Sequence, residues 1–246
     1  MLDDKLQSSF DVIYSTDLVY VPDCWKLCGD AHCCSFSRYK AQFKLMRKTP
    51  SGELPLLPGE YEYLNSKGWL EQFQDFEHNV VEFEIDSGVI KMESIISQRP
   101  NCACDHGTRP TICRLYPLVP EFSLDGRLKG TLPAGIYEEL ELIDGLEPAC
   151  KLESLPFGQL DGFLTVTHEL GKWPLILFYL EAYRIAKKHV ADRISQQCSE
   201  SGKSALSCFE FGFLRRQLVD RDKLREQLSR LAEKFKEYYG DQFSLT

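Results

Sequence analysis

The stretch CWKLCGDAHCC, residues 24–34, holds four cysteines, and the stretch NCACDHGTRPTICRLYP, residues 101–117, adds three more. In the first stretch the cysteines are separated by three and four residues, gaps that match the short loops that return two thiolates to one metal ion. Neighbouring side chains of an extended segment point to opposite sides, so Cys33 and Cys34 could serve two different metals, or a cluster and its surroundings. The two stretches together predict a thiolate metal site.

The second stretch also supplies positive charge beside its cysteines. Cys102 and Cys104 would share one face of an extended strand, with Cα atoms roughly 6.5 Å apart, so their thiolates can converge. Four thiolates around a divalent ion carry a net charge of roughly −2, which is costly to bury without cations or N–H donors. Arg109 and Arg114 flank Cys113 and are therefore predicted to offset the negative charge of the site.

Net charge, the first residues and the lengths of the apolar runs favour a cytoplasmic protein in a reducing compartment. The 246-residue chain has a net charge of −8, which argues against a nucleic-acid partner because phosphate binding needs a basic face. Its first ten residues lack the features of a signal peptide, and its longest apolar run, residues 175–180, is too short to span a bilayer. We therefore expect a cytoplasmic protein without membrane contact, whose cysteines are metal ligands or catalytic thiols rather than disulfides.

The cysteine stretches resemble a known family. The first cluster, then Cys104 and the run Arg109 to Pro117, RPTICRLYP, are similar to the hallmark of the YkgJ-type cysteine-cluster family, whose members are described as zinc- or iron-chelating domains. The resemblance spans roughly residues 20 to 155. His32 and His106 are alternative ligands through neutral imidazole. The metal ligands that the resemblance implies are Cys24, Cys28, Cys33, Cys34, Cys102, Cys104, Cys113 and Cys150.

Three functions remain open at this stage. The first is a metal-binding protein that holds zinc or iron, with an iron–sulfur cluster as one form, in a structural, storage or delivery role. The second is an iron-dependent enzyme, an oxidoreductase or a protein-modifying activity; some proteins with domains similar to this one are linked to flagellin lysine methylation. The third is an interaction module whose helices bind a partner. Side chains that could line a substrate pocket are Arg109, Arg114, Tyr116, Phe178, Tyr179 and Tyr183.

Apolar patterns predict an α+β fold: a cysteine-rich metal-binding core with short strands and loops, followed by a helical C-terminal part. Residues 80–90 alternate apolar and acidic side chains, which is typical of a half-buried strand, and a turn at 86–88 leads into a second strand over 89–96. A helix is predicted over 36–48. The segment 117–156, rich in proline and glycine, is predicted to form loops and short strands.

The C-terminal part is predicted to contain two long helices. Residues 174–194 begin with proline and carry an apolar face that includes Leu175 and Tyr183. Residues 220–239 carry apolar side chains at heptad-like spacing, at Leu224, Leu228, Leu231, Phe235 and Tyr238. We expect a cysteine-cluster domain over 1–160 and a helical region over 161–246 that packs on it. The second helix could instead bind a protein partner or a second copy of the chain. Two cysteines outside the clusters, Cys198 and Cys208, are expected to be small buried side chains.

Overall fold

A computed structural model describes residues 3–18, 52–73, 75–97, 105, 107–133, 135–146 and 157–245 of the chain. These residues combine helices with two small antiparallel sheets, so the predicted α+β class is confirmed. The predicted helix over 36–48 lies outside the described residues. The helices are α1 Asp4–Ser15, α2 Glu60–Ser66, α3 Thr111–Leu115, α4 Ile136–Ile143, α5 Leu160–Gly171, α6 Pro174–Ser201, α7 Ala205–Leu214 and α8 Arg221–Tyr239. The strands are β1 Gly52–Leu56, β2 Glu77–Ile85, β3 Gly88–Ser97, β4 Leu118–Phe122 and β5 Leu128–Pro133.

The larger sheet has the strand order β1-β3-β2, with both pairs antiparallel. Strands β2 and β3 pair along their full length around a turn at residues 86–87, which confirms the predicted hairpin. Strand β1 pairs with the other side of β3, and Gly52 lies opposite Ser97. Gly52 follows the first cysteine stretch along the chain, and Ser97 precedes the second. The β1–β3 pair therefore places one end of each cysteine-bearing segment side by side, at Gly52 and Ser97.

The segment 117–156 contains a helix where only loops and short strands were predicted. Strands β4 and β5 form the expected short ribbon, but residues 136–143 form α4. Ile136, Leu140 and Ile143 lie at helical spacing, and they pack into an apolar cluster with residues of α6 and α7. The prediction was wrong here because it relied on the nearby proline and glycine residues, and the apolar repeat at helical spacing covers only eight residues.

The two long C-terminal helices are confirmed. Pro174 stands in the first turn of α6. Proline fits there because the first N–H groups of a helix have no acceptor within the helix. The helix continues beyond the predicted Ile194 and ends at Gly202, whose φ of 66° favours glycine. The side chain of Asp220 caps the start of α8 by accepting a hydrogen bond from the N–H of Lys223. None of the helices in the described ranges is long and apolar enough to cross a membrane.

The buried faces of these helices differ from the predicted ones at three positions. Leu175, Tyr183 and Tyr238 were placed on apolar faces, yet they are 37%, 38% and 55% exposed. Helix α6 contacts α5, β4 and α8 on different sides. Residues 176–180 are therefore all buried, and the buried surface of this part of the helix is wider than one apolar face.

The predicted apolar face of α8 packs largely within the chain. Leu224, Leu228 and Phe235 are buried against α6 and the end of the β2–β3 hairpin. The face that the sequence offered to a partner or a second copy is therefore mostly occupied by the chain itself.

The largest apolar cluster contains residues from both sides of position 160. Phe10 of α1 and Tyr63 of α2 lie in the same cluster as Phe163 of α5 and Ile176 of α6. This shared core connects the sheet and the N-terminal helices to the C-terminal helices. The domain division at residue 160 stays a prediction.

Candidate metal centre

One of the predicted metal ligands, Cys113, lies in the part of the chain that the structure describes. It is half-buried in α3. Within the described ranges, no group of three or more histidine, cysteine, aspartate or glutamate side chains is arranged to hold a metal ion. The described residues thus define the surroundings of the predicted site. The predicted and alternative ligands outside them are Cys24, Cys28, His32, Cys33, Cys34, Cys102, Cys104, His106 and Cys150.

The helix that carries Cys113 begins at a tightly held corner. Pro110 precedes the helix, and Thr111 is its first residue. The first N–H groups of a helix have no acceptor within it. Here the backbone N–H and the hydroxyl of Thr111 both donate to Oε1 of Glu60, at 2.7 and 2.5 Å. The Glu60 carboxylate therefore fixes where the helix of Cys113 starts.

Glu60 is a site residue that the sequence patterns missed, and it is fully buried. It also accepts hydrogen bonds from the Tyr14 hydroxyl at 2.7 Å and from the Leu57 N–H at 2.8 Å. Burial raises the pKa of the Glu60 carboxyl, and the hydrogen-bond donors act in the opposite direction. The signal that could have drawn attention to it is an acid directly after the apolar run and turn of residues 54–59, although Glu62 two residues later is exposed. The Glu60 carboxylate joins α1, α2 and α3.

Arg114, next to Cys113, is a deeply buried cation with 2% exposure. Its Nη1 donates to the carbonyl oxygen of Gly107 at 2.7 Å, and its Nη2 donates to the carbonyl oxygen of Thr16 at 2.5 Å. The guanidinium also lies 5.4 Å from the ring centre of Tyr14, a cation–π contact. Burial lowers the pKa of Arg114, yet a guanidinium stays charged at any ordinary pH.

Arg109 is also buried, and the two arginines share an unusual feature. The Nε atoms of Arg109 and Arg114 are buried without a hydrogen-bond partner in the described part of the chain. No carboxylate among the described residues forms an ion pair with either guanidinium. Buried cations are normally paired with an anion. Two buried positive charges beside Cys113 thus lack a directly paired anion within the described residues.

The hydrogen bonds of Arg114 hold residues next to both cysteine stretches. Thr16 lies just before residue 19, where the undescribed segment with the first cluster begins. Gly107 lies just after Cys102 and Cys104. One side chain therefore connects the residues before the first cluster with the loop between Cys104 and Cys113.

The described residues that follow a third cysteine-bearing segment, residues 147–156, lie in the same region. The segment is followed by α5, and Gly162 of α5 packs closely on the end of α1. A Cβ atom at Gly162 would lie 2.8 Å from the carbonyl oxygen of Asp17, closer than real Cβ contacts. Only glycine allows this approach without a movement of the backbone. The close contact places the helix that follows the Cys150 segment next to the residues that precede the first cluster.

The two cysteines outside the clusters lie elsewhere. Cys208 is buried, Cys198 is half-buried, and both belong to the apolar cluster of α4, α6 and α7. Burial raises the pKa of the Cys198 thiol to about 12, with a smaller contribution from its hydrogen bond with Cys208. Since both thiols lie in this separate apolar cluster, they make a suitable internal control for the predicted ligands.

Of the aromatic side chains proposed to line a substrate pocket, Tyr116 and Tyr179 belong to the same apolar cluster as Cys113, and Phe178 belongs to another. Tyr116 donates a hydrogen bond to the carboxylate of Glu138 in α4. Phe178 and Tyr179 line one cavity, whereas Tyr183 lines another. The described structure thus offers no specific support for a catalytic pocket at the arginines.

Comparisons with protein-family models, with curated proteins and with solved structures found no match to this chain. The resemblance to the YkgJ-type family therefore stays a prediction.

Proposed function

We propose that this protein binds zinc or iron through its cysteine clusters and that Arg109 and Arg114 compensate the charge of the thiolate site. The observation that carries the proposal is the burial of these two guanidinium groups, each with an Nε atom that has no partner among the described residues. An anionic thiolate–metal site would supply an acceptor for the Nε atoms, and it would add negative charge to that of the Glu60 and Asp17 carboxylates near Arg114. The proposed ligands are Cys24, Cys28, Cys33, Cys34, Cys102, Cys104, Cys113 and Cys150.

The positions of the segment ends support a single shared site. Cys104 is bonded to Asp105, and Cys113 is bonded to Arg114. Cys24 is six residues from Leu18, so it can reach at most ~20 Å from that residue. Cys150 is seven residues from Phe157, so it can reach at most ~25 Å from there. Since the anchoring residues lie around α1 and α3, these reaches are compatible with thiolates that meet near Arg114.

The buried network around Glu60 gives the proposed site a rigid wall. Thr111 and Tyr14 are both held by the Glu60 carboxylate, and Arg114 packs over the ring of Tyr14. The positions of Cys113 and of the Arg114 guanidinium are thus set by the folded core. A metal bound there would close the cysteine segments onto this wall and stabilise the fold, with apparent zinc-binding free energies on the order of 10–16 kcal/mol in small zinc domains.

The test is metal analysis and a visible spectrum of protein purified without oxygen. Stoichiometric zinc in a colourless protein, or stoichiometric iron with broad visible absorption, would support the proposal and would identify the metal. Removal of the metal by a chelator should lower the midpoint of thermal unfolding. A cooperatively folded protein that contains neither metal, and that takes up neither zinc nor ferrous iron when these are added, would refute the proposal.

A further inference from the structure

A cavity of about 230 Å³ lies between the β4–β5 ribbon and helices α6 and α8. Cys113, Arg109 and Arg114 are not among the residues that line it, so it is distinct from the proposed metal site. Its apolar surface is formed by residues of β4, β5, α6 and α8: Val119, Phe122, Leu132, Leu177, Leu180, Leu231 and Phe235.

The character of the cavity changes along α6. Leu177 and Leu180 are apolar, and Arg184 and Lys187 follow one and two turns later on the same side. At 1.5 Å per residue, the distance from Leu177 to Lys187 along the helix axis is ~15 Å. The cavity is therefore apolar at one end and cationic at the other, a polarity that suits an elongated amphipathic molecule.

Four cations line the cavity, in a chain whose net charge is −8. Arg184 is paired with Glu181 at 2.5 Å, Lys187 with Glu139 at 3.5 Å, and Lys129 with Glu121 at 3.7 Å. The fourth cation is Lys234 of α8, which lines the cavity.

Lys234 is exposed, and no carboxylate pairs with it among the described residues. Lys234 is thus a cavity-lining cation for which the described residues supply no carboxylate. A negatively charged ligand group would pair with it.

We infer that this cavity binds a small amphipathic monoanion, an apolar chain that ends in a carboxylate. The chain would lie over Leu177 and Leu180, and the carboxylate would lie between Lys234 and Arg184. Burial of the chain supplies the favourable free energy, and the lysine and the guanidinium select the sign of the head group. The inference does not depend on the cysteines or on any bound metal.

Decanoate is the probe, titrated into the full chain by calorimetry, with decylammonium and acetate as comparison compounds. Saturable binding of decanoate is expected, while decylammonium should fail on charge and acetate should fail for lack of an apolar chain. Lys234→Glu should weaken decanoate binding at least tenfold, and added salt should weaken binding to the unmodified chain. The matched control is Lys236→Glu, on the same helix but outside the cavity, which should change the affinity less than twofold.

Each alternative outcome would overturn the inference. Absence of saturable decanoate binding at millimolar concentration would do so, as would equal binding of decylammonium, which would indicate nonspecific apolar association. Equal effects of Lys234→Glu and Lys236→Glu would show that the charge of the whole protein matters rather than this cavity. Both lysines are exposed, and circular dichroism would show that each variant keeps its helices.

Discussion

The guanidinium of Arg114 donates a hydrogen bond of 2.5 Å to the carbonyl oxygen of Thr16, which precedes it by 98 residues in the chain. Through a second donor it holds Gly107, seven residues earlier. These contacts explain why an arginine is buried in α3 next to Cys113: it joins the end of α1 to the loop that follows Cys102 and Cys104. The Nε atom of the same guanidinium is buried without a partner in the described residues.

Replacement of Arg114 tests this joining role. Arg114→Ala should lower the free energy of unfolding by about 2–4 kcal/mol, because two carbonyl oxygens lose charged donors at a buried position. Arg114→Lys should be less harmful, since an ammonium keeps the charge but lacks the planar fork that reaches both carbonyls. Urea denaturation measures both values. Equal stability of the alanine variant and the unmodified chain would contradict this role.

Replacement of Glu60 tests the buried network at the start of α3. Glu60→Ala should lower the free energy of unfolding by about 3–5 kcal/mol, because the donors of Tyr14, Leu57 and Thr111 would stay buried without an acceptor. The matched control is Glu62→Ala on the same helix, where the side chain is exposed and the change should stay within about 0.5 kcal/mol. Similar losses in the two variants would show that the network is not responsible.

The pH dependence of stability should reveal the buried acid. Burial raises the pKa of Glu60 above its ordinary value of 4.5, so between these two values the folded state binds more protons than the unfolded state. Stability contributed by this group is therefore present below pH 4.5 and is lost as the pH rises through the folded pKa.

Glu60→Gln cannot titrate, which makes it the reference for this measurement. The free energy of unfolding of the unmodified chain, minus that of Glu60→Gln, should decrease as the pH rises from 4.5 and then become constant. Urea denaturation across this range gives the difference. An increase with pH would show that the donors outweigh burial and that the folded pKa lies below 4.5.

The close approach of α5 to the end of α1 should tolerate no added methyl group. Gly162→Ala should lower the free energy of unfolding by about 1–3 kcal/mol, because the new Cβ would meet the carbonyl oxygen of Asp17. Alanine favours helices over glycine by up to about 1 kcal/mol, so only a real clash gives this sign. Gly158→Ala, with no atom within 4 Å of the added Cβ, is the control. If the two variants are equally stable, the approach is looser than described.

Local patterns were sufficient for some elements and insufficient for others. The hairpin over β2 and β3 and the long helices α6 and α8 followed from apolar periods, since each extends over many residues. Helix α4 was missed because its eight residues lie among turn-forming residues. The exposure of Tyr183 and Tyr238 depends on which neighbours a helix meets, and no local period contains that information.

At the candidate site, too, some features could be predicted from local sequence and others depend on tertiary packing. The types and spacing of the cysteines and arginines were readable because metal ligation depends on residue type. Glu60 was not, because its partner Thr111 is 51 residues away and the pairing exists only in the folded chain. The hydrogen bond from Arg114 to Thr16 is likewise a product of tertiary packing.

The metal content of three cysteine variants, compared with that of the unmodified chain, tests the proposed function most directly. Cys33→Ser and Cys113→Ser change proposed ligands from the two clusters, whereas Cys208→Ser changes a buried thiol in a separate apolar cluster. After anaerobic purification and identical dialysis, Cys33→Ser and Cys113→Ser should each retain less than half of the metal per chain, while Cys208→Ser keeps the full amount. Unchanged metal in Cys33→Ser and Cys113→Ser, or an equal loss in all three variants, would contradict a site shared by the two clusters.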